Sequence, residues 1–120
     1  MDKKLLIVED NPVNLDIFNE IFEDGFNIKM VMDGIQALDI VESYMPDMII
    51  LDVMMPNMDG YEVCKKIRSN PKLSNIKVIM VTARAMESER QKGMDAGADE
   101  YITKPFDEDE LLERINSYFN

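Results

Sequence analysis

Four short apolar stretches of this chain each run directly into residues that can do chemistry. Leu5-Leu6-Ile7-Val8 ends at Glu9 and Asp10, and Met48-Ile49-Ile50-Leu51 at Asp52. Val78-Ile79-Met80-Val81 ends at Thr82, and Tyr101-Ile102-Thr103 at Lys104. Gathered on one rim, these ends supply three carboxylates, a hydroxyl and an ammonium. Carboxylates crowded in this way repel one another, so either one keeps its proton or a cation sits among them. Oxygen donors with no nitrogen or sulfur point to Mg²⁺. That ion takes one or two carboxylates, water and a phosphate oxygen, which leaves a carboxylate free to act as nucleophile. Phosphoryl transfer requires in-line placement and neutralisation of the equatorial oxygens. A cation, the Lys104 ammonium and the Thr82 hydroxyl meet both needs.

The rest of the composition narrows the chemistry. The chain of 120 residues contains no histidine, which removes imidazole acid–base catalysis, Ser–His–Asp and Cys–His nucleophiles, and His-ligated zinc. Cys64 is the only cysteine, and a free thiol suits a reducing cytosol. The formal net charge of -11 repels phosphate backbones, so no nucleic-acid binding by this domain is expected; a cation or a basic partner fits better. The same charge also serves plain solubility. Leu5 to Val8 is too short for a signal peptide, and no stretch is long enough to span a membrane, so no membrane partner and a cytoplasmic location are expected.

The elements that must position these residues follow from the pattern of apolar residues. The length fits one domain, residues 1–120, able to bury a core without disulfide or metal staples. The run from Leu5 to Val8 is a buried strand, and Asn11-Pro12 opens a helix with Leu15, Phe18, Ile21 and Phe22 on one face, stopped at Gly25. Ile28 to Met32 predicts a second strand, ending at Asp33-Gly34. Ala37, Leu38, Val41 and Met45 keep helical spacing up to Pro46, and Met48 to Leu51 is the third strand. Asp59-Gly60 precedes a helix bearing Val63, Cys64 and Ile67, broken at Asn70-Pro71. Val78 to Val81 is the fourth strand, and a polar helix follows from about Met86 to Ala96, with Gly97 beyond it. After the short fifth strand, Asp107 and Glu110 form a capping box ahead of Leu111, Leu112, Ile115 and Phe119.

Five βα units with continuous apolar strands imply a parallel sheet covered by helices on both faces. For so short a chain the expected architecture is α/β, a flavodoxin-like (βα)5 doubly wound sandwich with strand order 2-1-3-4-5. Sites in such folds lie at the carboxyl ends of the strands, where Glu9, Asp10, Asp52, Thr82 and Lys104 stand. Each also has a plainer reading. Asp10 before Asn11-Pro12 is placed to cap a helix, and Asp59 is read as a cap rather than a ligand. Val13 lies outside the main apolar face of the first helix, either as a docking contact or as a scattered exposed side chain.

The chain resembles the receiver domain of bacterial two-component response regulators. The matching stretches are Leu6-Ile7-Val8-Glu9-Asp10-Asn11, Ile50 to Pro56, Met58-Asp59-Gly60, Val81-Thr82-Ala83, and Gly97 to Phe106. Their order and spacing, rather than any one of them, carry the likeness, which extends from Lys4 to Phe119. The resemblance implies that Asp52 is the phosphoacceptor, taking its phosphoryl group from a phosphohistidine on a sensor histidine kinase or histidine phosphotransfer protein. It implies that Glu9, Asp10, Asp52 and the backbone carbonyl of Met54 serve Mg²⁺, Asp10 directly and Glu9 through water. Thr82 and Lys104 match the residues that bind phosphoryl oxygens, and Tyr101 matches an aromatic switch residue that responds to Thr82. The output face would then comprise the fourth helix, fifth strand and last helix. The family's Lys-Pro peptide, here Lys104-Pro105, is commonly cis. Met54 and Arg84 occupy positions that tune hydrolysis of the acyl phosphate. Met54 offers no polar group to orient water, and Arg84 either screens the phosphoryl group or points into solvent.

Other readings of the same pattern meet obstacles. A flavodoxin-like FMN protein needs a phosphate loop after the first strand, and Glu9-Asp10-Asn11-Pro12 would repel that phosphate. A phosphatase with an Asp nucleophile needs a second Asp two residues on, where Met54 stands. No nucleotide-binding P-loop is present. The expected role is a signalling domain and not an enzyme, beyond assisting its own phosphorylation and slow autodephosphorylation. A stand-alone regulator is mildly favoured over a receiver module cut from a longer regulator or hybrid kinase.

Overall fold

Continuous apolar runs become strands because both faces of a parallel sheet must be covered. In the computed structural model, which describes residues 3–119, β1 (Lys3–Val8), β2 (Phe26–Val31), β3 (Met48–Leu51), β4 (Lys77–Thr82) and β5 (Glu100–Thr103) form one parallel sheet in the order 2-1-3-4-5. Side chains alternate between its faces. Leu6, Val8, Ile49, Leu51, Val78 and Met80 pack under α2 (Gly34–Tyr44), α3 (Gly60–Ser69) and the end of α4 (Glu87–Asp95). Leu5, Ile7, Met48, Ile50, Ile79 and Val81 pack under α1 (Pro12–Phe22) and α5 (Glu108–Ser117).

The helix starts are set by side-chain acceptors that satisfy otherwise unpaired N–H groups. The Asn11 Oδ1 accepts from the backbone N–H of Val13 at 2.8 Å, with Pro12 in the first turn. Asp33 caps α2, Asp59 caps α3 and Asp107 caps α5 in the same way. Asp107 accepts from the Glu110 N–H at 2.9 Å; among the described residues no return bond from the Glu110 carboxylate completes the box. α4 begins at Met86 without a side-chain cap, and Gly93 is its one buried residue.

Some boundaries and burials differ from the sequence reading. β2 begins at Phe26, whose ring meets Phe22 edge-on at 5.8 Å, and ends at Val31, where the Glu9 N–H takes the Val31 carbonyl. Met32 therefore lies beyond the strand and is exposed. Met45 is not on the apolar face of α2: it adopts a left-handed backbone (φ 49°) at the C-cap and is exposed. Leu112 and Phe119 are only partly buried, whereas Leu111 and Ile115 are fully in the core.

Strand register sets the height of each functional residue. Val8 lies opposite Leu51, and Leu51 opposite Met80, so Glu9 and Asp52 leave the sheet at one level. Thr82 pairs with Thr103 on the next strand, which brings Lys104 over the same rim.

Candidate functional site

The backbone ladder continues past the strand ends and holds the site residues from below. The Asp52 N–H donates to the Val8 carbonyl at 3.0 Å, and the Lys104 N–H to the Thr82 carbonyl at 2.8 Å. Lys104-Pro105 is cis. Carboxylate oxygens of Glu9, Asp10 and Asp52 all lie within 4.8 Å of one another. Glu9 and Asp52 are nearly covered, at 1% and 8% exposure, and Thr82 is fully buried. Asp10 is left free for the site because Asn11, and not Asp10, caps α1.

Lys104 is the cation of the rim. Its Nζ donates to Glu9 Oε1 at 2.8 Å and stands 3.5 Å from Asp52 Oδ2. Asp52 Oδ1 accepts from the Met54 N–H at 3.2 Å, while the Met54 side chain is exposed. Thr82 Oγ1 accepts from the Arg84 N–H at 3.3 Å. Burial holds the Glu9 carboxyl above its usual range, against the pull of the Lys104 ammonium and with the push of the Asp52 charge. One ammonium thus faces three acids, and the donor set is all oxygen. Closely set carboxylates, exposed enough at Asp10 for entry, fit a hard divalent cation such as Mg²⁺.

The structure brings Glu9, Asp10, Asp52 and Lys104 together, and Thr82 ends the neighbouring strand β4. Tyr101 is also close, but it already lies inward: its ring is buried and its hydroxyl donates to the Arg84 carbonyl at 2.8 Å. The Arg84 side chain is exposed, and its guanidinium pairs with Glu89 at 3.3 Å. Cys64 is a free thiol buried in the core, where burial pushes it up to about 11.

Two contributors escaped the sequence reading. The Asn14 side-chain amide donates to Glu9 Oε1 at 3.3 Å, and only its place one turn into α1 hinted at this. Gly60 was read as a helix start, but a Cβ there would lie 2.5 Å from the Asp52 carbonyl oxygen and 2.9 Å from Val53 Cα. The Gly60 N–H also donates to Val53 at 3.0 Å, closing the loop that follows Asp52.

Acids, a threonine and a lysine thus stand at the carboxyl ends of the strands of a doubly wound 2-1-3-4-5 sheet, and the family match makes this a signalling domain. The chain belongs to the response regulator receiver domain family, whose model matches residues 5–116. Response regulator MprA of Mycobacterium bovis (strain BCG / Pasteur 1173P2) is 40% identical over 118 residues, 98% of this chain and 50% of the relative. The chain thus spans about half the length of the curated relatives it matches. A putative response regulator from Chloroflexus aurantiacus has a TM-score of 0.93 at 31% identity, covering 98% of this chain and 97% of the other. The receiver domain of a sensor histidine kinase from Pseudomonas aeruginosa PAO1, with a magnesium ion coordinated in its active-site cleft, has a TM-score of 0.90 at 32% identity, with 98% of each chain covered.

Proposed function

We propose that Asp52 is the acceptor of a phosphoryl group delivered from a phosphohistidine on a histidine kinase or phosphotransfer protein. The observation that carries this reading is the place of its carboxylate, between two further acids and 3.5 Å from the Lys104 ammonium. A carboxylate oxygen of Asp52 attacks phosphorus in line. The new O–P bond forms as the P–N bond to the partner's imidazole breaks, and the imidazole nitrogen keeps the electron pair. Lys104 moves its charge from Glu9 toward the incoming phosphoryl oxygens, and the Thr82 hydroxyl donates to one of them. Asp10, Asp52, Glu9 through water and the Met54 carbonyl are the groups that would hold Mg²⁺, whose charge neutralises the phosphoryl oxygens when bound.

The apolar Met54 side chain offers no group to orient a hydrolytic water, so autodephosphorylation is slow. Residues 1–120 act as a single receiver domain, and a reducing cytoplasm suits its free thiol. For the partner, Val13 at 65% exposure stands on α1 beside a groove of about 450 Å³ lined by Ile17, Phe18, Pro105 and Phe106. The output partner meets the face of α4, β5 and α5, because α4 is the helix with the least buried surface and the lowest cost of movement.

Incubation with acetyl phosphate and Mg²⁺, followed by intact-mass measurement, tests the reading. The protein gains one phosphoryl group, and Asp52→Asn gains none; equal labelling of the variant would remove Asp52 from the role.

A further inference from the structure

The acceptor reading does not use a polar cluster that joins α3, α4 and the β4–α4 segment. Tyr61 follows Gly60 directly, and its ring is buried. Its hydroxyl meets the Glu89 carboxylate and also lies 3.1 Å from the Glu89 carbonyl. Glu89 in turn holds the Arg84 guanidinium at 3.3 Å. Both contacts favour the charged carboxylate, and they hold the Glu89 carboxyl below its usual range, the Tyr61 bond most of all. Arg84 is also where the two signalling contacts meet. Its N–H donates to Thr82 Oγ1 at 3.3 Å, and its carbonyl accepts the Tyr101 hydroxyl at 2.8 Å.

We infer that Glu89, fixed by the Tyr61 hydroxyl, is a positioning residue that holds the β4–α4 segment in the arrangement favoured by the phosphoryl-bound domain. The inference rests on the acceptor reading above. In that reading the Thr82 hydroxyl donates to the phosphoryl group; a Thr82 drawn toward that group leaves space beside it, which the Tyr101 ring fills when it lies inward. In this structure Tyr101 is inward, and the carbonyl it donates to belongs to the residue that Glu89 holds. α4 has no side-chain cap and a single buried residue; Arg90 reaches the Tyr101 carbonyl at 2.9 Å and Lys92 lies over the Tyr61 ring at 4.8 Å, but neither contact holds Arg84. Loss of the link therefore lets the segment leave the Tyr101 hydroxyl. A site whose bound arrangement is less populated binds its ligand more weakly by that fraction.

The test is titration with beryllofluoride, a phosphoryl mimic, in the presence of Mg²⁺. Tyr61→Phe keeps the ring and removes only the hydroxyl; Glu89→Gln keeps the shape and removes the charge. Each should weaken beryllofluoride binding by about five-fold, the low end of ordinary coupling between sites. The double variant should lose less than the product of the two single losses, since Tyr61 and Glu89 act through a shared contact. Mg²⁺ affinity without beryllofluoride should not change, which a general weakening of the fold would not allow. Glu87→Gln, an exposed acid in the same helical turn, should bind as the wild type does. Unchanged or tighter beryllofluoride binding in Tyr61→Phe and Glu89→Gln would overturn the inference and leave the acceptor reading intact. Failure of the wild type itself to bind beryllofluoride would overturn the acceptor reading.

Discussion

At the scale of residues, the rim is an electrostatic conflict: three acids cluster where one ammonium pairs with two of them. The strand-end groups were legible in the sequence because parallel strands buried on both faces read as unbroken apolar runs. The residue after each run is then at the sheet's edge whatever the loop does. Asn14 and the Tyr61–Glu89 contact were not legible, because they depend on how close separate elements come and not on any local pattern. The conflict makes a prediction about Asp10. Mg²⁺ should raise the melting temperature of the wild type, since binding to the native state stabilises it. Asp10→Ala should lose that rise. Without metal, the variant should melt higher than the wild type, because relief of like-charge repulsion at a partly exposed site is worth about 1 kcal/mol, which is about 4 °C for a domain of this size. An undiminished Mg²⁺ effect in the variant would remove Asp10 from the metal site.

At the scale of elements, what matters is how tightly the pieces that carry the site are pinned. Helix caps at Asp59 and Asp107 were readable as an acid ahead of an amphipathic stretch, whereas Asp33 read only as a turn and in fact caps α2. β2 was less so, because Asn27, Lys29 and Met30 on this edge strand are exposed and leave no continuous apolar run. Met45 misled because it kept helical spacing while its backbone had already turned left-handed. The start of α3 shows the cost of a close approach. Gly60 lies against the Asp52 and Val53 backbone, with no flexible side-chain end among these neighbours. Gly60→Ala should therefore force the loop after Asp52 outward and destabilise the domain by roughly 2 kcal/mol, a fall in melting temperature of about 8 °C. Its labelling by acetyl phosphate should slow as well. A thermal melt equal to that of the wild type would mean that the turn has room the geometry denies.

At the scale of the whole molecule, the fold separates two surfaces that the phosphoryl site must serve. α1 and the loop after β5 flank the rim on the side of Val13, whereas α4, β5 and α5 form the other side. The separation was legible, since the 2-1-3-4-5 order follows from five βα units in a short chain; which exposed apolar residues serve a partner was not, because exposure alone does not distinguish them. Val13→Glu should slow phosphoryl transfer from a phosphorylated histidine protein while leaving labelling by acetyl phosphate unchanged. Equal loss of both would place Val13 in the chemistry or the fold instead of at the docking surface. The most direct test of the acceptor assignment surveys the entire chain at once. An acyl phosphate is reduced by borohydride to the alcohol with loss of phosphate, which converts a phosphorylated aspartate into homoserine. After labelling with acetyl phosphate and Mg²⁺, reduction and peptide mass mapping should find homoserine at position 52 and at no other aspartate. Homoserine at Asp10 or Asp59, with Asp52 intact, would contradict the account.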